Sequence, residues 1–76
     1  MNNIRRKTLR ELMEQLEDLK DSVQELLDEE EEYRDNIPEN LQNGEKYEQA
    51  DQAADNLAAA VDDMEDALSS IEEAIG

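Results

Sequence analysis

No cysteine, histidine, phenylalanine or tryptophan occurs in this chain; proline appears once and glycine twice. Each absence closes a route. Without cysteine there is no disulfide, no thiolate nucleophile and no thiolate metal ligand. Without histidine the usual general base and a common metal ligand are missing. Tyr33 and Tyr47 are the only aromatics, so any core must be built from Leu, Ile, Val, Met and Ala. No segment approaches the ~20 apolar residues that span a bilayer. Ile4-Arg5-Arg6-Lys7 leads into no apolar leader-like run. The expectation is a single cytoplasmic domain over residues 1–76 with no membrane partner.

Charge is plentiful and lopsided: 7 bases against 23 acids give a net charge of −16. Residues 1–10 hold Arg5, Arg6, Lys7 and Arg10 and no acid, a balance of +4, so residues 11–76 carry −20. Such a body repels nucleic acid and anionic membrane, which argues against direct nucleic-acid binding, and attracts a protein partner with a basic surface.

The apolar residues are patterned. From Leu9 they step by threes and fours through Leu12, Leu16, Leu19, Val23 and Leu26, with Glu30, Tyr33 and Ile37 in the next slots. A second stripe runs from Tyr47 through Ala50, Ala54, Leu57, Val61, Met64, Leu68, Ile71 and Ile75. This is the 3,4 rhythm of coiled-coil packing, and Glu, Leu, Ala and Gln are good helix formers. Pro38 lacks an amide hydrogen and pushes Ile37 out of helical geometry, so the first helix is expected over about 4–35. A loop over 36–44 follows, in which Pro38 opens a short turn through Gln42, Asn43 is the candidate cap, and Ile37 and Leu41 fold over the open end. The second helix is expected over about 45–75. Two equal helices and a short loop make an all-α antiparallel hairpin.

Alignment of Leu16 with Met64 also pairs Leu12 with Leu68, Leu19 with Val61, Leu26 with Ala54 and Tyr33 with Tyr47, each pair of numbers adding up to 80. Ala53, Ala60, Ala67 and Ala74 form a further heptad line beside the second stripe, facing Thr8, Gln15, Ser22 and Glu29. Short side chains there suit a close helix–helix approach, within the hairpin or with another subunit. Met13 and Leu27 fall outside the expected seam. Together with the four alanines they are the candidate oligomerisation or docking flank. A hairpin has a small core for its length, so either an antiparallel dimer forming a four-helix bundle or a hairpin completed by a partner is expected.

Chemistry is harder to find. The hydroxyls of Thr8, Ser22, Ser69 and Ser70 lie on helix surfaces without a neighbouring base, so no catalytic residue is assigned and no enzyme is expected. Asp28, Glu29, Glu30, Glu31 and Glu32 are consecutive, which spreads them around a helix instead of converging them on a cation. No metal or cofactor site follows. The same five acids sit near the C-terminal end of the first helix, where the helix dipole disfavours them. The basic start of that helix is equally misplaced, but the hairpin brings Arg6 near Glu72 and Glu73. Nothing equivalent covers residues 28–32, which become the candidate partner-binding patch.

Two functional readings remain. One is a non-enzymatic protein–protein interaction module of unknown target. The other is a nucleic-acid mimic that fills the basic groove of a DNA- or RNA-binding protein. The run Asn36-Ile37-Pro38-Glu39-Asn40-Leu41-Gln42, followed by Tyr47-Glu48 and the alanine-rich heptads, resembles a group of small acidic helical proteins of Gram-positive bacteria and their phages or mobile elements. That resemblance spans nearly the whole chain. It implies a helical hairpin and a mobile-element origin, raises the weight of an anti-defence role, and brings no catalytic or binding residue with it.

The charge imbalance sets a testable expectation. Raising ionic strength from about 0.01 M to about 1 M shortens the screening length from ~30 to ~3 Å. The melting temperature, followed by circular dichroism, should rise by several degrees because self-repulsion outweighs the few attractive pairs. A fall with salt would mean that attraction dominates.

Overall fold

A computed structural model describes all residues 1–76. It contains two long helices, α1 (Asn3–Asp35) and α2 (Glu45–Ile75), joined by a loop with one 3₁₀ turn at Glu39–Leu41 and no strands. The helices pack against each other as an antiparallel hairpin, a rod of 59 × 15 × 12 Å. Neither is long and apolar enough to cross a membrane.

Local chemistry explains the boundaries. Asn2 caps α1, its Oδ1 accepting from the Arg5 amide at 2.8 Å. At the other end the Asn36 amide still donates to Glu32, and Pro38 then stops the helix. The Leu41 amide donates to the Pro38 carbonyl at 2.8 Å and closes the 3₁₀ turn. The cap of α2 is Gly44, not the expected Asn43, and no side chain serves it. Gly44 donates to the Leu41 carbonyl at 3.0 Å, and a Cβ there would stand 3.1 Å from that oxygen. Close approach selects glycine, and Glu45 and Glu48 answer the dipole of the first turn instead. Ile37 is half-buried over the end of the hairpin, but Leu41 points away at 56 % exposure.

The seam differs from the expected one on α1. Its covered line runs through Arg6, Leu9, Met13, Leu16, Lys20, Val23, Leu27, Glu30 and Arg34, and only Leu27 is fully buried, at 5 % exposure. Leu9, Leu16 and Val23 belong to both patterns. Leu12, Leu19, Leu26 and Tyr33 have been exchanged for Met13, Lys20, Leu27 and Arg34, a rotation of α1 by about 50°. The displaced residues are 48–59 % exposed, so their expected pairing with Leu68, Val61, Ala54 and Tyr47 is not the centre of the seam. The stripe on α2 holds as read: Ala50, Ala54, Val61 and Ile75 are buried, and Tyr47, Leu57, Met64, Leu68 and Ile71 are half-buried.

Electrostatics gives the rotation a physical reason. It brings three bases of a strongly acidic chain onto the inner line of α1, where each reaches α2. Arg34 Nη1 meets Asp51 Oδ1 at 2.9 Å, Lys20 Nζ meets Glu65 Oε1 at 3.7 Å, and Arg6 Nε donates to the Ile75 carbonyl at 3.1 Å. Long side chains lean toward the N-terminus of their own helix, so on α1 they reach residues of α2 numbered higher than their backbone level. That lean accounts for pair numbers adding up to 81–85 where 80 was expected.

Only 5 of 76 residues are buried, so Leu27 should matter more than any other leucine of α1 to the hairpin itself. Leu27→Ala should cost about 2–3 kcal/mol in urea unfolding, near the low end for buried leucines because the seam is open on both sides. Leu41→Ala, in the loop, should cost under about 0.5 kcal/mol. Equal losses at the two positions would contradict this seam.

Candidate interaction surface

Arg6, Lys20 and Arg34 stand fourteen residues apart on one line of α1, alternating with Met13 and Leu27. A charge on an otherwise apolar seam can specify register, because sliding one helix would leave that charge without its partner. Lys20 is well covered, its side chain 19 % exposed, while Glu65 remains 56 % exposed. Arg34 also pairs with Asp35 at 3.1 Å. Hydrogen bonding to Asp35, opposed by partial desolvation and aided by Asp51, raises the Arg34 guanidinium above its ordinary pKa. It therefore keeps its charge. The signal for this device lies in the spacing: three of the chain's seven bases recur at two-heptad intervals, a pattern hidden by reading only the apolar residues.

The remaining four bases, Arg5, Lys7, Arg10 and Lys46, make no ion pair, and Arg6 meets a carbonyl and Asn3 instead of Glu72 or Glu73. The expected internal neutralisation of the basic end is therefore absent. Arg6 instead caps the Ile75 carbonyl at the end of α2, where a cation is favourable to the dipole.

At the other end, Asp28, Glu29 and Glu32 are exposed and Glu30 and Glu31 are half-buried. None of the five forms an ion pair; Asp28 Oδ1 accepts a hydrogen bond from Gln24 Nε2 at 3.0 Å. No three acidic groups of the chain converge in a way that holds a metal ion.

The expected docking flank is divided by the fold. Leu27 is buried and Met13 half-buried in the seam, so neither is on an outer flank; the rotation of α1 has drawn both inward. Ala53 and Ala60 are half-buried beside the seam, and Ala67 and Ala74 are exposed. The alanines buried most deeply are Ala50 and Ala54, on the seam itself.

Sidedness follows from the cross-helix contacts. Asp51 and Glu65 mark one side of α2, and the line of α1 that reaches them lies on the same side. Heptad geometry then places Leu12, Leu19, Leu26 and Tyr33 on the opposite side, next to Ala53, Ala60, Ala67 and Ala74. Flanking them are Thr8, Gln15, Ser22 and Glu29 on α1 and Gln49, Asn56, Asp63 and Ser70 on α2, all exposed. With Arg5 and Lys46 at the ends of the two inner lines, this side holds two acids and two bases and is electrically neutral. The rest of the surface carries the whole −16.

Neither depression in the surface resembles an enclosed site. One, of about 390 Å³, lies at the loop between Ile37, Pro38, Leu41, Gly44, Glu45 and Lys46. The other, of about 330 Å³, is an open groove at the edge of the neutral side, between Gln15, Leu19 and Ser22 and the acid Asp18 beyond them. Comparison with protein families, curated proteins and solved structures finds no match to the chain.

Lys20 offers a direct check on the seam. Lys20→Met continues the line of Met13 and Leu27 and should hold or raise the melting temperature, since an apolar side chain in a covered position often equals an ion pair. Lys20→Glu places a carboxylate against Glu65 and should lower it. A lower midpoint for Lys20→Met than for Lys20→Glu would remove Lys20 from the seam.

Proposed function

We propose that this chain is a non-enzymatic protein–protein interaction module: an acidic helical hairpin that pairs with a second copy into a four-helix bundle and presents its acidic exterior to a basic protein surface. The observation that supports this reading is the division of one rod into a neutral, leucine-bearing side and a surface carrying the entire net charge. A hairpin alone exposes Leu12, Leu19, Leu26 and Tyr33 along a single line, which is how interaction surfaces differ from scattered exposed apolar residues. The unpaired Asp28–Glu32 run, held in place against the helix dipole, supplies the acidic contact.

Charge spacing favours a second reading, the nucleic-acid mimic with an anti-defence role. Sixteen net charges over 59 Å is one per ~3.7 Å. Two copies side by side would carry one per ~1.8 Å, close to the ~1.7 Å of duplex DNA.

Affinity capture from a host lysate at low and high salt separates these readings. Replacement of Glu29, Glu30, Glu31 and Glu32 by Gln should weaken capture of a basic partner by tenfold or more without changing helix content. For a mimic, bound protein should also be displaced by duplex DNA and lost steeply with salt. Partner binding that is indifferent to both salt and the Gln variant would overturn the acidic-surface reading.

A further inference from the structure

Resting on the self-association just described, we propose that the second copy docks head-to-tail on the neutral side, with the loops at opposite ends and a twofold axis passing beside Leu19 and Ala60. The α1 line on this side reads Arg5, Leu12, Leu19, Leu26, Tyr33 at seven-residue steps and is symmetric about Leu19. A half-turn there sets Leu12 over Leu26 of the second copy, Leu19 over Leu19, and Arg5 over Tyr33, a cation above an aromatic ring. The α2 line is symmetric about Ala60, with Ala53 over Ala67 of the second copy. Leu19 and Ala60 stand within about a helical turn of the same level of the rod, since the cross-helix pairs add up to 81–85 and the lean of their long side chains accounts for part of the excess. One axis therefore serves both lines, as an isologous interface requires.

Charge selects this arrangement over the one with both loops together. The bases Arg5, Lys7 and Arg10 lack ion-pair partners at one end of the rod, and Asp28–Glu32 lack them at the other. Head-to-tail docking lays each basic end along the acidic end of the second copy. Loops together would gather both acidic runs at one end of the dimer and both sets of unpaired bases at the other. The neutrality of the docking side matters too, because two copies of an acidic face would repel.

The size is sufficient. Arg5 to Tyr33 spans ~42 Å of helix. With the 15 Å width of the rod, two copies would bury on the order of 1,300 Å² together, within the range of specific interfaces.

Sedimentation equilibrium of the full chain at micromolar concentration should give twice the 8.7 kDa monomer mass. Leu19→Glu sets two carboxylates against each other at the axis and should return the monomer mass. Leu19 is 59 % exposed in the hairpin, so helix content at saturating protein reports any loss of folding separately. The chain has no cysteine, which allows single-cysteine cross-linking. Under mild oxidation Leu19→Cys should form a covalent dimer alone. Leu12→Cys and Leu26→Cys should each stay uncoupled and cross-link only when mixed. A dimer in which Leu19→Cys instead couples to Ala60→Cys would overturn the head-to-tail geometry. A monomer at all accessible concentrations would overturn the self-association as well, and would leave the acidic surface to be judged by its own capture experiment.

Discussion

Two helices share one interface and enclose nothing, and the other features of this protein follow from that constraint. A single seam can bury one stripe from each helix, and here it buries five residues. No large side chain is fully buried. What the molecule offers is surface, and its properties depend on how the two helices are turned relative to one another.

That turn is decided by a competition between apolar burial and charge. Leucines at 12, 19 and 26 suit a seam on their own helix, and on hydrophobicity alone they belong in it. The opposing consideration is a chain with 16 excess negative charges, in which Arg6, Lys20 and Arg34 gain by facing α2. Rotation of α1 by half a residue step keeps Leu9, Leu16 and Val23 inside, draws in Met13 and Leu27, and brings the three cations across the seam. The leucines left outside are the reason the hairpin has a second apolar side at all. The cross-helix ion pairs and the exposed leucine-bearing side are thus two results of one rotation.

The surfaces divide accordingly. One side is neutral and leucine-bearing, suited to another flat helical face; the other carries the acids, suited to a basic partner at longer range. On the proposed reading, self-association and binding of a basic partner use opposite sides and do not conflict, since two acidic faces would repel. The run from Asp28 to Glu32 lies near the loop end, and the unpaired bases near the other, so the rod is polar along its length as well as across it.

The amino-acid pattern by itself determined the helices, the stop at Pro38 and the antiparallel return, because heptad spacing and proline geometry are local and admit few alternatives. It also determined the stripe on α2, where Ala, Leu, Val, Met and Ile leave one choice of inner line. On α1 two lines were open, overlapping at Leu9, Leu16 and Val23, and neither helix alone distinguishes them. Only the tertiary structure decided between them, since the groups that distinguish them, Lys20 with Glu65 and Arg34 with Asp51, meet once the chain has folded back. The same decision moved Met13 and Leu27 inward and put Leu12, Leu19, Leu26 and Tyr33 outside. Which leucines hold the hairpin together and which are left exposed is therefore a property of the pair of helices, and no reading of one helix contains it.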